Sequence, residues 1–159
     1  MPGTFTQALS GLAENPVFLS TFSAWFSAQF IKTLIEICRN RLHTAPEILT
    51  SLFWKTGGMP SSHSSLVTAL ATSIGITEGI DSALFATVFF YGILTIRDAL
   101  GVRRSTGTQA QMLNTLRVEL MQRYTISLKP VKEVHGHTPI EVSVGVLLGF
   151  FIALGICSL

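Results

Sequence analysis

Four apolar stretches, residues 16–38, 64–80, 81–96 and 140–159, constrain this chain more than any other feature. A helix needs about 20 mostly apolar residues to cross a bilayer. The last stretch is the clearest, with Glu141 its single charged residue. The middle two are short, and their join at Thr77-Glu78-Gly79-Ile80-Asp81 reads as a tight turn, so together they form a helical hairpin. Composition points the same way: 13% of residues are charged and the mean hydropathy is +0.50, whereas soluble domains carry about 25% charged residues. The expected fold is all-α, a polytopic membrane helical bundle of about four transmembrane helices, with residues 1–159 forming one domain.

The first stretch carries more than hydrophobicity. Phe18, Phe22, Phe26 and Phe30 make one bulky face, toward lipid or a partner helix. Ser20, Ser23, Ala24, Ser27 and Ala28 offer a small face for close helix packing. Gln29, Lys32, Glu36 and Arg39 line one side of its C-terminal end. Charges at the centre of a membrane helix cost about 2.5–3.5 kcal/mol each, and placement near an end softens that cost. A solvated end suits Arg39 better than Lys32. In the polar segment 97–139, Leu113, Leu116, Leu120 and Tyr124 recur at helical spacing. They predict an amphipathic helix, either at the membrane interface or packed on the spans. Cys38 and Cys157 lack motif spacing and read as small buried hydrophobes, without a disulfide framework or a zinc site. No basic segment precedes the first apolar run, so no cleaved signal peptide is expected.

Threading the stretches through a bilayer puts Lys32–Arg39, His63, Arg97 and His137 on one face and Glu78–Asp81 on the other. All 11 Lys and Arg residues fall on the first face. By the positive-inside rule that face is cytoplasmic, with both termini on the opposite side. An anion site would gather cations in the same way. Nothing in this balance calls for nucleic acid.

The run Gly57-Gly58-Met59-Pro60-Ser61-Ser62-His63-Ser64-Ser65 places glycines, small hydroxyls and an imidazole where a polar loop becomes an apolar helix. Helix-start N–H groups attract anions, glycines permit close approach, and histidine exchanges protons near pH 7. The same residues also serve as an ordinary helix cap. Arg103 and Arg104 follow the third stretch, and Gly136-His137-Thr138-Pro139-Ile140-Glu141 opens the fourth. His137 and Glu141 are four residues apart, so the carboxylate can reach the imidazole and fix its tautomer. Two imidazoles, one with a carboxylate, beside a cation cluster meet the needs of phosphoryl transfer through a histidine nucleophile. His135 adds a His-x-His pair, too little for a metal site.

These blocks, in this order, resemble the divergent branch of the type 2 phosphatidic acid phosphatase superfamily, membrane relatives of the vanadium haloperoxidases. Lys32 through Arg39 is similar to the superfamily's Lys-x6-Arg-Pro, with Asn40 in place of proline. Pro60-Ser61-Ser62-His63 is similar to Pro-Ser-Gly-His, and His137-x3-Glu141 to the end of Ser-Arg-x5-His-x3-Asp. The resemblance implies His137 as nucleophile, Glu141 as its orienter, His63 as general acid and Lys32 as a phosphate ligand, with no metal or other cofactor. Ser61, Ser62 and Arg39, in the same blocks, are further phosphate-binding candidates. The Ser-Arg pair of the third motif is absent, its place held by Pro130-Val131. Arg103, Arg104 or Lys132 is the expected substitute cation. The superfamily's usual core has six helices, so a homodimer would complete the pocket. The expected function is hydrolysis of a lipid phosphomonoester or pyrophosphate through a phosphohistidine. The alternative is a non-catalytic protein that binds or carries a lipid phosphate.

Overall fold

The computed structural model describes residue 7 and residues 10–54, 57–124, 126–133 and 136–159, with Trp54 and Arg103 placed by backbone alone. Its principal helices are α1 (Pro16–Cys38), α2 (Ala45–Trp54), α3 (Ser62–Thr77), α4 (Ala83–Leu100), α5 (Val102–Tyr124) and α6 (Pro139–Cys157). No strand occurs among the described residues. The four apolar stretches correspond to α1, α3, α4 and α6. The Leu113–Tyr124 pattern is the second half of a much longer helix, α5.

Local chemistry sets the boundaries. Asn15 accepts hydrogen bonds from the Val17 and Phe18 amides at 2.9 and 3.1 Å, and Pro16 occupies the first turn of α1. Ser61, Ser82 and Thr138 cap α3, α4 and α6 in the same way. At the end of α1, Asn40 takes φ 56°, its N–H donates to the Ile37 carbonyl, and the Arg41 N–H donates to the Glu36 carbonyl. This pair of bonds is a Schellman stop with asparagine at the left-handed position.

Helix α3 is the centre of the bundle. It runs antiparallel to α1, with the Ser65 hydroxyl donating to the Ala24 carbonyl at 3.0 Å. It runs parallel to α6: a Cβ on Gly145 would strike the Ser61 carbonyl oxygen, and one on Gly149 the Ser65 carbonyl oxygen. Those two positions tolerate nothing larger than glycine at this helix spacing. Ala24, Ala69 and Ala153 meet at full burial where the three helices cross. Helix α4 packs on α3 alone over most of its length, Gly92 against Val67 and Phe85 against Gly75. Helix α2 leans on α1 through Thr33–Ser51 and Trp25–Phe53.

The interior is small and polar, and the large apolar side chains point outward. Ser20, Ser61, Ser64, Ser65 and Ser73 are fully buried, while Phe18, Phe22, Phe26 and Phe30 are exposed. A bundle immersed in water buries its large apolar residues; a bundle immersed in hydrocarbon packs its small ones. Residues 83–124 and Pro139–Cys157 are the two stretches long and apolar enough to cross a membrane among the described residues.

The C-termini of α1 and α4 and the N-termini of α3 and α6 gather at one end of the bundle. Helix α5 leaves from that end. It packs on α4 and is flanked by the returning chain: Asn114 exchanges hydrogen bonds with Val131 at 2.9 Å, and Arg117 donates to the Leu128 carbonyl at 2.8 Å. Leu113, Leu116 and Tyr124 remain exposed. The contact with α4 is therefore not made by these three apolar residues.

Candidate functional site

His137 and Glu141 are placed by the start of α6. Thr138 and Glu141 form a reciprocal capping box, in which the Glu141 amide donates to Thr138 Oγ1 at 3.3 Å and Glu141 Oε2 accepts from the Thr138 amide at 3.0 Å. The same oxygen lies 3.1 Å from His137 Nδ1. One carboxylate thus closes the helix start and orients an imidazole that is 4% exposed. The His137 amide donates to the Ala99 carbonyl at 3.2 Å, which fixes this loop to the end of α4.

The glycine-rich block is fixed to the same place. Gly57 and Gly58 both have φ +83°, a left-handed conformation that disfavours side chains. The stem of Lys32 lies 3.7 Å from where a Gly58 Cβ would stand. The Ser61 amide donates to the Glu141 carbonyl at 3.0 Å, tying the start of α3 to the first turn of α6. The Ser61 hydroxyl caps α3 and accepts from the Ser64 hydroxyl at 2.9 Å. Ser61 is therefore a structural link, with its amide and hydroxyl both engaged inside the protein. His63 is the second residue of α3 and half-buried, and Ser62 is buried beside it.

Between α1 and α6 lies a cavity of about 260 Å³ whose walls include Lys32, Glu36, Arg39, Gly58, Thr138 and Glu141. Lys32 is 2% exposed and donates to Gln29 Oε1 at 3.2 Å. A buried ammonium costs several kcal/mol unless it is paired, and Lys32 sits between Gln29 and a cavity that also holds carboxylates. Arg39, by contrast, is exposed at the helix end. Glu36 is buried on the cavity wall, 3.9 Å from Arg41.

The cavity brings together Lys32, Arg39 and Glu141, which the sequence placed in one site although more than a hundred residues separate the first from the last. Arg104 is close by: a Cβ on Gly136, next to His137, would strike the Arg104 backbone. The Arg103 side chain, Lys55 and His135 lie outside the described residues. Lys132 is exposed on the chain that returns along α5 and does not line the cavity. Sequence reasoning gave Glu36 no role beyond its stripe. Its signal was the four-residue spacing from Lys32, which puts both side chains on one helix face. Among the described residues no group of three or more His, Cys, Asp or Glu is arranged to hold a metal ion.

Small buried residues, an apolar exterior and an end that gathers the cations define a helical bundle membrane protein. The chain belongs to the divergent PAP2 family, whose sequence profile matches residues 13–152. It is 38% identical over 155 residues to the Bacillus subtilis (strain 168) protein described as uncharacterized membrane protein YuiD, covering 90% of this chain and 94% of that one. No solved structure matches it.

Proposed function

We propose that this protein hydrolyses a phosphomonoester or pyrophosphate on a lipid through a phosphohistidine. The carrying observation is the buried His137–Glu141 pair, 3.1 Å between Nδ1 and Oε2, on a helix start that shares a cavity with Lys32 and Arg39. With its Nδ1 proton directed at Glu141, His137 presents the lone pair of Nε2 to phosphorus. The Nε2–P bond forms as the P–O bond to the lipid breaks, and His63 gives the departing oxygen its proton. Water then attacks the phosphohistidine, His63 takes a proton from it, and inorganic phosphate leaves. Lys32, Arg39 and Arg104 supply positive charge for the equatorial oxygens. Glu141 stabilises the imidazolium character that develops on His137.

In this reading α1, α3, α4 and α6 all cross the bilayer, and the charged end faces the cytoplasm with both termini opposite. A homodimer supplies whatever part of the pocket one chain leaves open.

The test uses purified protein in detergent and a panel of lipid phosphates, with released phosphate as the readout. Turnover should vanish in His137→Ala and fall by about 100-fold or more in His63→Ala, as expected for loss of an acid–base group. Activity that survives both changes contradicts the mechanism. Tight lipid phosphate binding with no release by the unmodified protein favours a binding or carrier role.

A further inference from the structure

Neighbouring helices in a bundle are joined by about two to eight residues. Here the chain leaves α4 at Leu100, makes α5 and the segment that returns along it, and comes back to where it left: the His137 amide donates to the Ala99 carbonyl. So long an excursion is not needed to connect the spans, and of its residues the proposed chemistry uses Arg104 alone.

Residues 126–133 of the returning segment belong to no helix or strand. Asn114 grips Val131 by both of its backbone groups: Nδ2 donates to the carbonyl at 2.9 Å, and Oδ1 accepts from the amide at 2.9 Å. A carboxamide carries the same donor and acceptor as a peptide group, so Asn114 holds Val131 much as a neighbouring strand would. The other Nδ2 hydrogen goes to Glu133 Oε1 at 2.8 Å. The contacts follow in order along α5: Leu128 at Arg117, Val131 at Asn114, and Gly136 at Arg104, where the helix backbone leaves no room for a Cβ. Arg104, Gly107, Ala110, Asn114 and Arg117 share one helix face, and Gly107 and Ala110 are buried on it. From Asn114 back to Arg104 the helix rises ~15 Å. The chain from Val131 to Gly136 spans at most ~18 Å when fully extended. A grip on Val131 therefore leaves little slack in the segment that delivers His137. That histidine must meet Glu141 through Nδ1 and Ala99 through its amide at the same time.

We infer that Asn114 is a positioning residue for His137: by gripping Val131 on the arm, it sets where the imidazole stands against Glu141. Its effect on turnover rests on the phosphatase reading, and its effect on the ring does not. A nucleophile misplaced by about 1 Å can lose about 100-fold in rate. Lys32 and Arg39 line their cavity from α1 and are independent of this grip. Loss of Asn114 should therefore act on kcat and spare KM.

The test uses the full chain in detergent, with nitrogen-labelled histidine read by magnetic resonance and the lipid phosphate assay run beside it. The bonds of Asn114 are exposed, so the bundle should fold without them. Asn114→Ala removes the grip. Asn114→Asp keeps the acceptor for the Val131 amide, has no donor for its carbonyl and sets a charge against Glu133. Both should move the His137 Nδ1 signal, assigned by its loss in His137→Ala, and leave that of His43 in place. Both should lower kcat about tenfold or more, with KM changed less than about twofold. Glu119→Gln, exposed on the far face of α5, is the control and should change neither. A His137 signal unmoved in both variants would overturn the inference, and so would one that moves only together with that of His43 and a fall in Tm. A moved ring signal in a protein that releases no phosphate keeps this inference and sinks the catalytic reading. Full turnover by both variants with an unmoved ring does the reverse.

Discussion

Glu141 has two tasks, and substitution separates them. Glu141→Ala removes the partner of His137 and half of the capping box, so it should cost both activity and about 1 kcal/mol of stability, seen as a lower Tm. Glu141→Gln keeps an oxygen for the Thr138 amide and loses only the charge, so its Tm should stay near that of the unmodified protein while kcat falls. Equal Tm losses in the two variants would mean that the carboxylate acts through the cap alone. Asn40 makes a sharper case, because the superfamily motif has proline there. Asn40→Pro should destabilise by about 3 kcal/mol or more, since proline can adopt neither φ 56° nor the N–H bond to Ile37. Asn40→Gly should be tolerated, and a neutral Asn40→Pro in a thermal melt would contradict the helix stop. Residues of this kind were legible where type and spacing suffice: His137 with Glu141, and Lys32 with Arg39. The burial of Lys32 and the commitment of Ser61 to the helix junction were not, because both depend on which helix packs above them.

At the scale of elements, the contact between α3 and α6 is set by two glycines. Gly145→Ala and Gly149→Ala should each cost 1–3 kcal/mol or more, since the added methyl meets a carbonyl oxygen that cannot move without shifting a helix. The measurement is the folded yield and Tm in detergent, and Gly155→Ala, which meets nothing within 4 Å, is the control. Helix α2 has its own signature. The Glu47 carboxylate accepts from the His43 and Thr44 amides at 2.9 and 3.2 Å, and the His43 bond first, then that of Thr44, lowers its pKa from the ordinary 4.5. A depressed carboxylate stabilises the fold above its unfolded pKa, and the contribution is lost as pH falls through the folded one. Protection of the amides in residues 45–54, taken relative to their intrinsic exchange rates, should therefore fall in acid, and Glu47→Gln should flatten that dependence. The helix is not legible among the apolar runs, although Thr44-Ala-Pro-Glu47 is a capping-box pattern, because its ten residues are too few to cross a membrane. Helix α5 was legible only in its apolar half, since nothing in its polar first turns repeats.

For the whole molecule, the gathering of four helix termini at one end followed from counting apolar stretches, each of which reverses the chain. The arm formed by α5 and the returning segment did not, because it is held by hydrogen bonds from Asn114 and Arg117 to backbone 17 and 11 residues away. The proposed sidedness rests on the distribution of cations. A cysteine introduced between residues 97 and 133 should resist an impermeant thiol reagent in intact cells, while one beside Asp81 should react. The reverse pattern would move the site to the outer face and change the leaflet that supplies the substrate. The central claim concerns His137 and phosphorus, and trapping reads it most directly. Protein mixed briefly with a lipid phosphate, quenched in alkali and digested should yield a phosphorylated peptide modified on His137, increased in His63→Ala and absent in His137→Ala. Phosphate release with no modified histidine at any quench time would contradict the account.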